Sequence, residues 1–290
     1  MKQVTLPKII CIGAQKCGTS WLHEALQQNP AVWSPPFKEL HFFDYKFIPD
    51  SRKWAKWHVQ SNVKRLLKEE FWHSEIVGYD DYLRSLIKEP MLNGNWYKNA
   101  FSIMPHDNFG MDITPEYCQL PVEGIEFLAK FLEHPKIIYI IRDPVDRAIS
   151  QVRMNLARNM MVTEDIEAWE KFSNQPVVWQ RGNYAEYVPR WDSFLSEDHI
   201  LYIPFGRIAQ EPHTLLHEIE NFLGIPAHKY EDVEKKVFSG KHTYIPDSIK
   251  NNMRDKMRMQ YEFLENIWDE EETKNDFIKK LPLKKTNLYQ

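Results

Sequence analysis

Between Gly13 and Leu22 the chain reads GAQKCGTSWL, two glycines five apart with a lysine between them and a Thr-Ser pair behind the second. Glycines at a strand-to-helix junction leave backbone N–H groups free to face an anion, and the helix dipole adds to the attraction. A loop for a magnesium-bound triphosphate needs GxxxxGK[ST], in which the lysine after the second glycine reaches the terminal phosphates and a hydroxyl ligates the metal. Here Thr19 and Ser20 follow Gly18 directly, and the cation stands inside the loop as Lys16. The pattern therefore predicts a phosphate-type anion held without the magnesium-triphosphate arrangement. The competing reading of the loop alone is a tight connection that binds nothing.

A second anion site is offered by IRDPVDRAIS, residues 141–150, where Arg142 ends an apolar run and Ser150 follows eight residues later. An arginine fork with a hydroxyl suits a phosphate dianion. Taken alone, Arg142 could equally pair with Asp146 or a nearby glutamate. A glutamate or histidine set among aromatics, such as Glu39 and His41 in KELHFFD, is ordinarily a surface or core residue.

The elements that must carry these residues can be read from periodicity. KIICIG at 8–13 is β-branched and apolar, the pattern of a buried strand. It runs into the glycine loop, and Thr19 to Gln28 has helical spacing through Trp21, Leu22, Ala25 and Leu26, stopped before Pro30. A second extended piece is expected over Val32 to Phe43, and the charged and aromatic stretch from Asp44 to about Asn108 reads as helical. KIIYII at 136–141 is another buried strand, after which Pro144 opens a helix through Ser150. HILYIP at 199–204 is the third, followed by a helix from Thr214 to Leu223 with a stop at Gly224.

Strands alternating with helices imply a parallel sheet covered on both faces, and such sheets bind ligands beyond the carboxyl ends of their strands. The Gly13 loop and Arg142 both fall there. The expected fold is α/β, a P-loop-type central parallel sheet flanked by helices, as a single domain over 1–290. A helical elaboration at about 45–108 is expected over the acceptor cleft, and 269–290 forms a charged tail.

Composition narrows the function classes. With 43% hydrophobic and 27% charged residues the 290-residue chain is of ordinary soluble, globular type. Its net charge of −4 gives no global attraction to nucleic acid or to an anionic membrane, so an anionic ligand must be held locally. Three cysteines without a CxxC pair suggest neither a disulfide framework nor a zinc site, and a reducing cytoplasm fits best. The first apolar run is too short for a signal segment or a membrane span.

GAQKCGTSWL resembles the 5′-phosphosulfate loop of sulfotransferases that use 3′-phosphoadenosine 5′-phosphosulfate (PAPS). IRDPVDRAIS resembles the same family's 3′-phosphate motif, and KELHFFD is similar to the KExHFF segment of the Golgi-type carbohydrate branch. GMDITPEY at 110–117, GNYAEYVPRW at 182–191 and LYIPFGRIAQEPHTLLHEIENFLGIP at 201–226 fit the family in order. The resemblance implies PAPS as cofactor, 3′-phosphoadenosine 5′-phosphate (PAP) as product, no metal, and a saccharide or glycosylated small molecule as acceptor. It implies cofactor contacts from Gly13, Gln15, Lys16, Cys17, Gly18, Thr19, Ser20, Trp21, Arg142, Ser150, Tyr202, Gly240 and Lys241. Acceptor contacts are implied for Lys38, His41, Asp112 and Tyr184, and catalytic roles for Lys16, Glu39 and His41.

The chemistry is consistent with those roles. PAPS carries phosphate at two separated places and so needs two anion sites. Sulfuryl transfer needs an in-line nucleophile, neutralisation of the leaving oxygen and a base for the acceptor proton. Lys16, carried by the loop itself, can meet the charge on the bridging oxygen. The carbohydrate branch places its glutamate base where Glu39 stands, with His41 the rival, and a Trp in the place of Trp21 stacks on adenine. Departures concern the acceptor: Asp112-Ile113-Thr114-Pro115 stands where Golgi-type enzymes often read E-K-S/T-P, the basic cofactor loop has only a loose counterpart in Ser239-Gly240-Lys241-His242, and no membrane anchor is read here. A P-loop kinase, and a nucleotide- or glycan-binding module that has lost catalysis, are the rival readings; the absent GK[ST] disfavours the first.

Overall fold

Five parallel strands organise the chain, in the spatial order β2-β3-β1-β4-β5. They are β1 (Ile9–Gly13), β2 (Val32–Trp33), β3 (Phe109–Ile113), β4 (Lys136–Ile141) and β5 (Ile200–Pro204). The computed structural model describes residues 5–69, 77–160, 166–234 and 245–267. Central β1 is buried at all five positions, and its register sets Ile10 beside Asp112 on one side and Ile137 on the other. Helices over both faces remove any polar alternation from such strands, which is why KIICIG and KIIYII stand out in the sequence. After β1 the chain passes over β3 to reach β2, whereas after β4 it moves the opposite way to β5. That reversal opens a crevice beyond the carboxyl ends of β1 and β4.

The helices in chain order are α1 (Thr19–Leu26), α2 (Phe42–Phe47), α3 (Ala55–Leu66), α4 (Tyr79–Ser85), α5 (Gly94–Ala100), α6 (Val122–Phe131) and α7 (Pro144–Arg158). They continue with α8 (Ile166–Ser173), α9 (Pro176–Gln180), α10 (Tyr184–Asp192), α11 (Arg207–Gln210), α12 (Pro212–Leu223), α13 (Asp247–Lys256) and α14 (Arg258–Ile267). Gly224 ends α12 in the left-handed conformation at φ 68°, the stop expected from the sequence. Asp143 caps α7 by accepting the Asp146 N–H at 2.8 Å, with Pro144 as the first helical residue.

Two expectations are corrected. The extended piece over Val32–Phe43 shrinks to Val32–Trp33, because Phe42 and Phe43 open α2 and are buried among Tyr97, Phe127 and Phe131. Strand β3 fills the resulting place in the sheet. It escapes a periodicity reading because Gly110 and Asp112 interrupt its apolar run. The charged tail lies outside the described residues.

Candidate active site

The loop after β1 turns on its glycines. Gly13 and Gly18 sit at φ 140° and 80°, and a Cβ would come within 2.9 Å of the Pro115 carbonyl oxygen at the first and 2.6 Å of Ile208 Cδ1 at the second. Gly18 is the N-cap of α1 and, among the described residues, no side chain caps that helix, so its first-turn N–H groups stand ready for an anion. Lys16 is half-buried at φ 70° in the same loop. Burial lowers its pKa, and the like charges of Arg158, Arg142 and Lys38 lower it further. Among the described residues it has no carboxylate partner; its ammonium contacts the Met154 sulfur at 3.9 Å. Cations that converge with a single carboxylate, Glu39 beside Lys38, among them are a site that gains from a polyanion.

Arg142, just past β4, belongs to the same structure. Its Nη1 donates to the Lys16 carbonyl at 3.0 Å, and its guanidinium lies 4.4 Å from the centre of the Phe205 ring. Among the described residues it makes no ion pair, so the competing reading of a pair with Asp146 does not hold; Asp143 instead accepts from the Asp146 N–H and from the Tyr261 hydroxyl, each at 2.8 Å. Ser150 is half-buried in the second turn of α7.

Beside the loop, Lys38, Glu39 and His41 lie in the bend between β2 and α2, with Glu39 at φ 70° and His41 at φ 54°. The Lys38 ammonium donates to Thr19 Oγ1 at 2.9 Å and Ser20 Oγ at 3.2 Å, and lies 3.4 Å from Glu39 Oε1. One cation thus ties the anion loop to a carboxylate that is 27% exposed. Behind Glu39, His41 is wholly buried, with Nδ1 3.1 Å from Asp44 Oδ2 and Nε2 3.6 Å from Glu39 Oε2. Its ring packs edge-on against Trp54 and His58, at centroid distances of 4.4 and 4.8 Å. Burial works against charge on His41, but Asp44 and Glu39 outweigh it and push its pKa up to about 10. Burial likewise disfavours the Glu39 carboxylate, yet the His41 contact and the Lys38 charge hold its pKa well below the usual range. The result is an ionised carboxylate at the edge of an anion site, with its back supported by an imidazolium.

Several expected contacts do not reach the cleft. Asp112 is buried at the end of β3, where the hydroxyls of Thr114, Tyr97 and Tyr117 donate to it at 2.7, 2.9 and 2.9 Å. Burial raises its pKa to about 6 against those three donors; it is a structural knot, and the expected acceptor contact is corrected. Tyr184 is also fully buried, its hydroxyl accepting the Arg142 backbone N–H at 3.3 Å beside Cys17, so it supports the loop from below. Tyr202 is 8% exposed and donates to Asp192 at 2.5 Å. His41 is wholly buried, with Glu39 between it and the exposed side. Trp21 is 6% exposed with its indole N–H donating to the Val233 carbonyl at 2.8 Å, which ties α1 to the segment ending at 234. Gly240 and Lys241 lie outside the described residues.

Three charged residues in or around the site were not expected. The Arg181 guanidinium donates to Gln15 Oε1 at 2.5 Å and to Glu116 Oε1 at 2.7 Å, fixing the loop side chain to the turn after β3. Burial raises the Glu116 pKa, opposed by Arg181 and His41. Arg147 is fully buried in α7, donating to Gln151 Oε1 at 2.8 Å and to the Val178 carbonyl. Its bulk explains Gly182, where a Cβ would lie 2.7 Å from Arg147 Nε. The only sequence signal was the arginine five residues after Arg142 on an otherwise apolar helix face.

Comparison with known proteins follows the same lines. The chain is 24% identical over 249 residues to heparan sulfate glucosamine 3-O-sulfotransferase 3B1 of Mus musculus, an alignment covering 82% of this chain and 49% of the relative. It is also 24% identical over 238 residues to bifunctional heparan sulfate N-deacetylase/N-sulfotransferase 2 of Bos taurus, covering 76% of this chain and 22% of that protein. The chain spans about half the length, or less, of these curated relatives. In fold it is similar to a crystal structure of a sulfotransferase from Alicyclobacillus acidocaldarius, with a TM-score of 0.62 at 22% identity over 90% of this chain and 94% of that one. The family model described as "Sulfotransferase family" matches residues 7–230, from just before β1 to beyond α12, and the chain belongs to that family.

Proposed function

We propose that the chain transfers the sulfuryl group of PAPS to a hydroxyl of a saccharide acceptor, in line and without a metal. The observation that carries this reading is the Lys38 ammonium, which bridges Thr19 and Ser20 of the anion loop to Glu39. The loop and the α1 N-terminus receive the 5′-phosphosulfate, and Arg142 with Ser150 receives the 3′-phosphate. The acceptor oxygen forms its bond to sulfur as the bridging sulfur–oxygen bond breaks. That bond's electron pair stays on the phosphate oxygen of PAP, beside Lys16, and the hydroxyl proton passes to Glu39. His41 and Asp44 hold Glu39 in place from behind and are positioning residues.

The relatives named for heparan sulfate glucosamine 3-O-sulfation support a sugar hydroxyl over an amine, which the N-sulfotransferase relatives represent. No helix among the described residues is long and apolar enough to cross a membrane. Cys11, Cys17 and Cys118 are free and buried, which supports placement in a reducing cytoplasm.

Thermal unfolding tests the cofactor. PAP without magnesium should raise the midpoint, with about 2.7 kcal/mol of added stability at a hundredfold excess over Kd, and ATP should do so far less. Equal stabilisation by magnesium-ATP would overturn the cofactor assignment.

A further inference from the structure

The buried face of Glu39 offers something the proposed transfer does not use. His41 Nε2 is wholly buried and, among the described residues, has no hydrogen-bond partner. The Nδ1 edge is held by Asp44 at 3.1 Å, an arrangement that orients the imidazole and, once the ring gives up a proton, leaves the Nε2 lone pair aimed forward. In front of it stand Glu39 Oε2 at 3.6 Å and, from the first turn of α3, His58. One ligand atom from each of Glu39, His41 and His58 lies within 4.8 Å of the others.

We infer that Glu39, His41 and His58 form a binding site for a first-row divalent transition ion, zinc above all, and that an ion bound there blocks sulfuryl transfer. Two imidazoles and a carboxylate are the donor set of such ions and not of magnesium or calcium, which prefer oxygen. A tetrahedral ion at about 2.0–2.1 Å from each ligand spaces the ligand atoms roughly 3.3 Å apart. The Glu39–His41 pair at 3.6 Å already meets that spacing closely. The inward movement falls to His58, which is half-buried, with polar contacts to the Lys38 carbonyl at 3.4 Å and Asn62 Nδ2 at 3.2 Å and its ring edge-on to His41 and Trp54. Lys38, 3.4 Å from the other Glu39 oxygen, opposes the ion, so the site is weaker than a structural zinc site. Inhibition rests on Glu39 being the base, since a carboxylate bound to a cation cannot take the acceptor proton; binding itself does not depend on that reading.

The test uses the full chain with two probes. Cobalt titration followed by visible absorption reads binding, and zinc inhibition of transfer at saturating PAPS reads the consequence. The variants are His58→Ala and His58→Phe, the second keeping an aromatic ring against His41 and Trp54 so that packing is retained. Both variants should keep metal-free turnover and PAP-dependent stabilisation, lose the tetrahedral cobalt band, and need at least about tenfold more zinc for half-inhibition. A wild-type protein that gives no tetrahedral cobalt spectrum, or variants that bind cobalt as wild type does, would overturn the site. Cobalt binding that depends on His58 while zinc leaves transfer untouched would uphold the site and overturn its inhibitory role, pointing the fault at Glu39 as base.

Discussion

Replacing Arg142 by alanine removes three things at once: a fork for the 3′-phosphate, the Nη1 hydrogen bond to the Lys16 carbonyl at 3.0 Å, and a cation lying 4.4 Å over the Phe205 ring. The first acts on the complex. Loss of a charge-assisted hydrogen bond costs about 1.5–3 kcal/mol, which corresponds to roughly 10- to 150-fold weaker PAP binding. The other two act on the free protein. A neutral-acceptor hydrogen bond and a half-buried cation–π contact contribute about 1 and about 0.5–1 kcal/mol respectively, less what solvent screens. The melting midpoint should fall by about 2–4 °C per kcal/mol lost. Isothermal titration with PAP at fixed ionic strength and thermal unfolding measure the two separately. Arg142→Lys should restore only part of the affinity, because an ammonium keeps the charge but not the fork. A PAP Kd for Arg142→Ala within about twofold of wild type would refute the placement of the 3′-phosphate.

Glu39→Gln should keep PAP binding and lose roughly 10²–10⁴ in turnover, the range for a positioned base. His41→Ala, in contrast, should show its main loss in stability, about 3–5 kcal/mol for a broken buried ion pair, and unchanged stability with a larger turnover loss than Glu39→Gln would reverse the two roles. Because the folded-state pKa of His41 is raised from 6.5 to about 10, its contribution to stability is complete below 6.5 and fades as pH rises through about 10. Urea midpoints across that window should decline more steeply for wild type than for His41→Gln, and parallel curves would contradict the imidazolium between Asp44 and Glu39.

The place of the glycine loop and of Arg142 was legible because their carriers obey local rules. KIICIG and KIIYII are uninterrupted buried strands, GAQKCGTSWL follows one and Arg142 the other, and the structure joins them through the Lys16 carbonyl. What lay hidden depends on tertiary contact. Strand β3 has two poor strand formers in five residues: Gly110 is forced by a Pro7 Cα that would lie 2.9 Å from any Cβ, and Asp112 by three hydroxyls, two from the turn just after the strand and one from α5. A buried aspartate and one on a cleft wall look alike in sequence. The same holds for Tyr184 and Tyr202, whose aromatic bodies fit either setting. Arg181 and Glu116 are far apart in the chain and meet only in the folded protein, as a direct ion pair beside Gln15. His41 was read as a rival base because spacing alone cannot show that Glu39 stands in front of it; burial of the imidazole decides the order.

In the proposed reaction this chain moves a sulfuryl group from PAPS to an acceptor oxygen using Lys16 and Glu39. Mass spectrometry of a saccharide panel incubated with PAPS, without added metal, tests it most directly, with PAP release measured in the same samples. The expected result is one sulfuryl addition on oxygen for each PAP formed, slowed roughly 10²–10⁴-fold by Glu39→Gln and strongly by Lys16→Ala, while PAP-dependent stabilisation of the Glu39 variant persists. Phosphoryl transfer from magnesium-ATP, or tight PAP binding with no transfer to any acceptor, would contradict it.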